Sequence, residues 1–299
     1  MSESPLHSLT AATVVVVAGK GGVGKTTVTA VLARAAAASG RRVLVIELDG
    51  KPTLQELLPA REGQSIEVRH IAAPEALDEY LREHGFARIA KRLNRTGVID
   101  IVGTAAPGID DIVVLGKIKQ FERTGDYDLI VVDGPAAGHA VTFLTAASGL
   151  EDAVRGGPVR AQAGEVLELL GDPERCQAVL VTLPETTPVN EAIETAYALE
   201  EDVGIGLGPV VVNGVDRGVD LPDEVDVELL VEVAGAADRA ALCDAYDFRR
   251  SRRAMETDVL DRMSRELPLG QVRIEARAVA GLDAGDIDEM ASRLAAAAP

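Results

Sequence analysis

Five short apolar runs constrain this chain more than any other feature. TVVVVA (13–18), RVLVIEL (42–48), DLIVVD (128–133), QAVLVTL (177–183) and PVVVNGV (209–215) are rich in β-branched residues and bounded by turn residues. A continuous apolar run of this length suits a strand covered on both faces, as in a parallel sheet. Helical stretches such as Thr26–Ala38 and Asn190–Glu201 lie between the runs. Strand alternating with helix implies βαβ crossovers, so the expected fold is α/β, with a doubly wound, mostly parallel sheet flanked by helices. QVRIEARAV (271–279) reads as one further strand. Aromatics make up 3% of the chain and Trp is absent, so Val, Leu, Ile and Ala must build the core.

Two regions break the alternation. Residues 74–124 read as mostly helical, with an interruption at Gly103–Gly108, and residues 236–267 read as a long, highly charged helical excursion. The Arg249–Arg253 cluster within the second is expected to be a solvated helix face paired with acids. No internal repeat, linker or composition shift marks a boundary. Residues 1–299 are therefore expected to form a single domain whose helical insertions make a small subdomain.

Residues 19–27, GKGGVGKTT, fall directly after the first run and directly before the first helical stretch. Glycines at 19, 21, 22 and 24 let backbone N–H groups turn inward on phosphate oxygens, where a Cβ would block close approach. The following helix adds the partial positive charge of its N-terminus. Lys25 supplies a cation to β- and γ-phosphates, the Thr26 hydroxyl a ligand to Mg²⁺, and Thr27 a contact near the α-phosphate. A glycine-rich turn that merely starts a helix explains neither the Lys-Thr spacing nor four glycines. Gly19–Thr27, Val23 included, is thus the expected binding segment for ATP with Mg²⁺.

Acids are needed near the γ-phosphate, at the C-terminal ends of neighbouring strands. Asp49 follows VLVIEL and suits orienting the attacking water and holding a Mg²⁺-bound water; Asp133 ends DLIVVD and suits Mg²⁺ through water. A strand-end Asp that caps the next helix is the alternative for each. Gly134, Pro135 and Gly138 allow the loop after Asp133 to change shape with the γ-phosphate. Glu47 reads as a local polar contact, and His139 as either a switch sensor or a structural residue at a helix start.

A net charge of −18 argues against a protein that coats nucleic acid or an anionic membrane. Cys176 and Cys243 are isolated, with no CxxC or Cys/His cluster, so neither zinc nor a disulfide framework is indicated. The sequence has no run of 18 apolar residues and no basic-then-apolar leader, which points to a cytoplasmic protein without an integral membrane segment.

The second lysine of the loop, Lys20, narrows the class. GKGGxGKT[ST] resembles the deviant Walker A of P-loop NTPases that include ParA/MinD, nitrogenase iron-protein and ArsA-type ATPases. YDLIVVDGPAAGHAVTFL (127–144) resembles the ArsA-type switch II segment DTAPTGHTLRFL. APGIDDIVVLGKIKQF (106–121) is similar to the PGIDE segment of ArsA and tail-anchored-protein-targeting ATPases. DPERCQAVLVTLPETTPVNEA (172–192) and VVVNGV (210–215) also follow that family. Together with GGPVRAQAGEVLELL (156–170), they look like its shorter, bacterial, actinobacterial-type members.

The resemblance implies an ATP-hydrolysing dimeric switch, built from two copies or from this chain and a related paralogue, that couples nucleotide state to an unknown protein client. It implies that Lys20 reaches the partner's nucleotide and joins Lys25 and Asp49 in catalysis, that Asn213 contacts the adenine, and that a loop near 276–284 flanks it. A cation supplied in trans can be worth roughly 10³–10⁵ in rate.

There are departures. The cysteine cluster of arsenite-stimulated members and the CxxC zinc site of the targeting factors are both missing. Only Met255, Met263 and Met290 follow the initiator, where the targeting factors have a Met-rich groove. Switch I reads DGKPTL in place of DPAHSL. Two alternatives are a nucleotide-dependent scaffold with little hydrolysis and a ParA/MinD-type positioning ATPase. The acidic, Ala-rich end AGDIDEMASRLAAAAP and the net charge speak against the latter.

Overall fold

The computed structural model describes residues 4–48, 50, 52–83, 108–216 and 239–297. Its centre is a sheet in which every pairing is parallel, ordered β3-β2-β4-β1-β5-β7-β8, with a two-residue β6 beside β5. The strands are β1 (Val14–Gly19), β2 (Arg42–Glu47), β3 (Ser65–His70), β4 (Leu129–Ala136), β5 (Cys176–Thr182), β6 (Gly206–Leu207), β7 (Val210–Val215) and β8 (Gln271–Glu275). β1 and β5 are buried at every position. That explains why their sequences are unbroken apolar runs rather than alternating ones.

Side chains of successive strand residues enter two separate cores. Val14, Val16, Leu44, Ile46, Ile130 and Val132 face one layer; Val15, Val17, Val43, Val45, Leu129 and Val131 face the other. The second layer is built on α2 (Lys25–Ala38) and its cover, α10 (Ala284–Ala296), with α1 (Pro5–Leu9) and α3 (Thr53–Leu57) at its margin. The first is built on α5 (Ile109–Thr124), α6 (Ala137–Ala153), α7 (Pro158–Leu170), α8 (Thr186–Ala198) and the end of α9 (Arg239–Glu266). α4 (Ala73–Glu83) lies against it through Ala76 and Leu77.

β4 is slotted between β1 and β2, and Arg42 secures its start. The Arg42 backbone N–H donates to Asp128 Oδ2 at 2.8 Å, and its guanidinium donates to both Asp128 oxygens at 2.8 and 3.1 Å. This placement brings the C-terminal ends of β1, β2 and β4 together at one edge of the sheet.

Several elements depart from the apolar pattern. Among the described residues β3 is an edge strand, with Ile66 and Val68 half-buried and Ser65, Glu67 and Arg69 exposed, so it shows no apolar run. β8 stops at Glu275 rather than at 279. Beyond it Arg277 turns to bind Asp286 at 2.8 Å and Glu289 at 2.7 Å on α10. α8 begins at Thr186, four residues before the expected Asn190, with Pro188 tolerated in its first turn, and it ends in a wide turn at Leu199–Val203. Of the interruption at Gly103–Gly108, only Gly108 lies within the described residues; it caps α5 with φ +87°. The Arg249–Arg253 stretch lies on α9. Arg249 grips Asp216 at 2.8 and 3.0 Å, and Arg252 donates to Glu256 at 3.1 Å.

Candidate functional site

β1 delivers the glycine loop and α2 receives it. Gly22 (φ +87°) and Gly24 (φ +91°) are left-handed, and Gly24 stands at the N-cap of α2. A Cβ at Gly24 would lie 2.3 Å from Asn213 Nδ2, so a side chain there is strained in conformation and displaces the Asn213 amide. At Gly21 and Gly22 a Cβ would meet nothing within 4 Å, which leaves the approach to the loop open. The first turn of α2 carries no acidic residue and no side-chain cap. No acid of the helix's own first turn therefore competes for its N–H groups.

Asp133 is the hub opposite this loop. Thr26 Oγ1 donates to Asp133 Oδ2 at 2.7 Å, and Thr29 Oγ1 donates to Asp133 Oδ1 at 3.3 Å. In the sheet Asp133 pairs in register with Val17 on one side and with the buried Glu47 on the other. Gly134 then passes so close to β1 that a Cβ would sit 2.5 Å from the Val17 carbonyl oxygen. The strand-end carboxylate thus faces the head of α2 because two adjacent parallel strands hold it there.

Lys25 Nζ folds back over the loop and donates to the carbonyl oxygens of Gly19 at 3.2 Å and Lys20 at 3.4 Å. Lys20 Nζ takes a different direction and pairs with Glu191 Oε1 on α8. Val23 is buried, and its carbonyl accepts a hydrogen bond from Asn213 Nδ2 at 2.9 Å. Asn213 therefore braces the loop from the end of β7. Thr27 lies in the first turn of α2. Asp49 lies outside the described residues.

A cleft of about 690 Å³ opens at the ends of β2, β3 and β4, bordered by Gly50, His70, Asp111, Pro135 and His139 among others. His70 Nδ1 donates to the Glu47 carbonyl oxygen at 3.0 Å. Burial pushes the Asp111 carboxyl above the usual carboxylate range and Asp110 adds to this, while His139 opposes it. Among the described residues no three His, Cys, Asp or Glu are placed to hold a metal together. Burial pushes the Cys176 thiol up to about 12, which leaves it inert. No helix of the described residues is long and apolar enough to cross a membrane.

The arrangement fits a magnesium nucleotide. Open space lies over Gly21 and Gly22, the first turn of α2 carries no acid of its own, and its threonine hydroxyl lies against a strand-end carboxylate with the loop lysine close by. Thr29 and Glu191 were not singled out by motif. Thr29 could have been, because it lies one helical turn beyond Thr26 and on the same face. Glu191 falls in the family-like stretch 172–192, but nothing local ties it to Lys20, 171 residues away in sequence.

Comparison with known proteins agrees with this geometry. Residues 12–156 match the ArsA ATPase family profile, described as anion-transporting ATPase. The chain is 36% identical over 217 residues to the ATPase BagA of Mycobacterium tuberculosis, covering 66% of this chain and 63% of that protein. It is 32% identical over 185 residues to the arsenical pump-driving ATPase of Escherichia coli, covering 61% of this chain and 31% of the pump ATPase. The chain therefore spans less than two thirds of the length of these relatives. Across the segment that holds the glycine loop and Asp133, residues 12–156, this chain is thus similar to the ArsA-type ATPase family.

Proposed function

We propose that the chain binds ATP with Mg²⁺ and hydrolyses it as a dimeric switch, within one ATPase domain that couples nucleotide state to a protein partner. The observation that carries this reading is the clasp between Thr26 and Asp133 at 2.7 Å, at the head of a helix whose preceding loop is open to approach. Gly19–Gly24 and the first N–H groups of α2 cradle the phosphates, and Lys25 releases its loop carbonyls to reach the β- and γ-phosphates. Thr26 and Asp133 are the residues that would hold Mg²⁺, the carboxylate through water. The ion would neutralise charge on the transferred phosphoryl group. Asp49 orients the attacking water. Lys20 supplies its cation to the partner's nucleotide, and Asn213, next to the loop, contacts the base.

Released phosphate measured against protein concentration tests the reading. Specific activity should rise with protein concentration and require Mg²⁺. Lys20→Ala should lower it by roughly 10³-fold or more, and Asp49→Asn should slow single turnover while leaving ATP bound. Tight ATP binding with no turnover at any concentration would replace the enzyme by a nucleotide-dependent scaffold. Equal single-turnover rates for wild type and Asp49→Asn would remove Asp49 from the mechanism.

A further inference from the structure

Lys20 faces a choice of partners. Its ammonium is paired with Glu191 of its own chain, and the two side chains are 36% and 37% exposed. The loop that carries Lys20 is glycine-rich, whereas Glu191 is fixed on a helix anchored from both sides. Val189, Ala192 and Ile193 bury one face of α8 in the core. On its other side Arg262 of α9 donates to Asn190 Oδ1 at 2.5 Å, and Arg252 lies 3.6 Å from Glu185. The Thr195 hydroxyl donates to the Glu191 carbonyl oxygen at 2.6 Å and keeps that turn closed.

We propose that Glu191 is a positioning residue for Lys20. It parks the ammonium on α8 of its own subunit, and the ammonium must leave Glu191 before it reaches a nucleotide held by a second copy. This rests on the trans role of Lys20 proposed above. One ammonium cannot occupy both places, so the ion pair competes with assembly and sets the protein concentration at which ATP brings two copies together. A pair that is one third exposed is weak and screened by salt. The competition is therefore a trimming device rather than a lock. An exposed ion pair is worth about two- to fivefold, and two such pairs break when two copies assemble, so its removal should shift the assembly threshold about 4- to 25-fold.

Two measurements test this on the full chain. The first is a urea-unfolding cycle without nucleotide over wild type, Glu191→Gln, Lys20→Gln and the double variant. Non-additive shifts, with the double variant no worse than the worse single one, are expected. Additive shifts would show that the two residues do not interact and would overturn the proposal. The second is mass photometry with ATP and Mg²⁺, comparing wild type with Glu191→Gln and Glu191→Asp. Glu191→Gln should assemble at about 4- to 25-fold lower concentration, with Glu191→Asp between it and wild type. An unmoved or raised threshold in Glu191→Gln refutes the parking role alone. A wild type that never assembles with ATP refutes the dimeric switch itself, and the parking role falls with it.

Discussion

Replacing Gly24 by alanine separates two reasons for a glycine at the head of α2. The first is backbone conformation. At φ +91° an L-residue costs about 1–2 kcal/mol relative to its ordinary regions. The second is space. The new Cβ would fall 2.3 Å from Asn213 Nδ2, the far end of a flexible side chain, so the amide moves and its 2.9 Å bond to the Val23 carbonyl is lost. One neutral hydrogen bond contributes about 1 kcal/mol net. Gly24→Ala should therefore destabilise the chain by about 2–3 kcal/mol, from the sum of these terms. In an Asn213→Ala background the collision is gone, and the same substitution should cost only the backbone part, about 1–2 kcal/mol. Urea midpoints at constant slope measure both differences. A fluorescent ATP analogue should bind weakly to Gly24→Ala in either background, because the strained loop no longer aims its N–H groups. Equal unfolding costs in the two backgrounds would show that Asn213 does not press on Gly24, and the reasoning would fail.

Two further outcomes follow from the hub and the cleft. Thr29→Val keeps the shape of a fully buried side chain but removes the donor to Asp133 Oδ1. It should raise the Mg²⁺ concentration for half-maximal turnover several-fold, while Thr29→Ser restores it; an unchanged Mg²⁺ dependence would leave Thr29 with packing alone. Asp111 has a folded-state pKa above its unfolded value, through burial and Asp110, so its ionised form costs stability. That cost is absent below the unfolded pKa of about 3.9 and fully present above the raised folded pKa. Asp111→Asn should raise the urea midpoint at pH 7 and lose this advantage near pH 4; a gain that is the same at both values would refute the assignment.

The central strands were legible because burial on both faces leaves no room for polar residues. β1, β2, β4, β5 and β7 all announce themselves as apolar runs. β3 was not legible, since an edge strand tolerates Glu67 and Arg69 on its surface and alternates instead of running apolar. The glycine loop was readable because its backbone geometry is local: glycine, lysine and threonine must be neighbours in sequence to be neighbours in space. Contacts made across the fold were not readable in the same way. Lys20 with Glu191 and Asn213 with Val23 join segments more than 150 residues apart, and only the order of strands in the sheet brings them together. Asn213 illustrates the difference. Family resemblance marked it as a base contact, and the fold adds that its amide holds the loop itself.

The insertion of β4 between β1 and β2 has a consequence for how the molecule comes into being. β1 leaves the ribosome before both of its lateral neighbours, β4 and β5, which end at residues 136 and 182. Until β4 has been synthesised β1 has no lateral partner and its glycine loop has no Asp133 opposite, and until β5 follows its other edge stays unpaired. At about 5–20 residues per second that wait is roughly 10–30 s. Pairings so distant in sequence form slowly. The nucleotide site thus closes well after its first segment has emerged, and that segment must be kept from wrong partners in the interval.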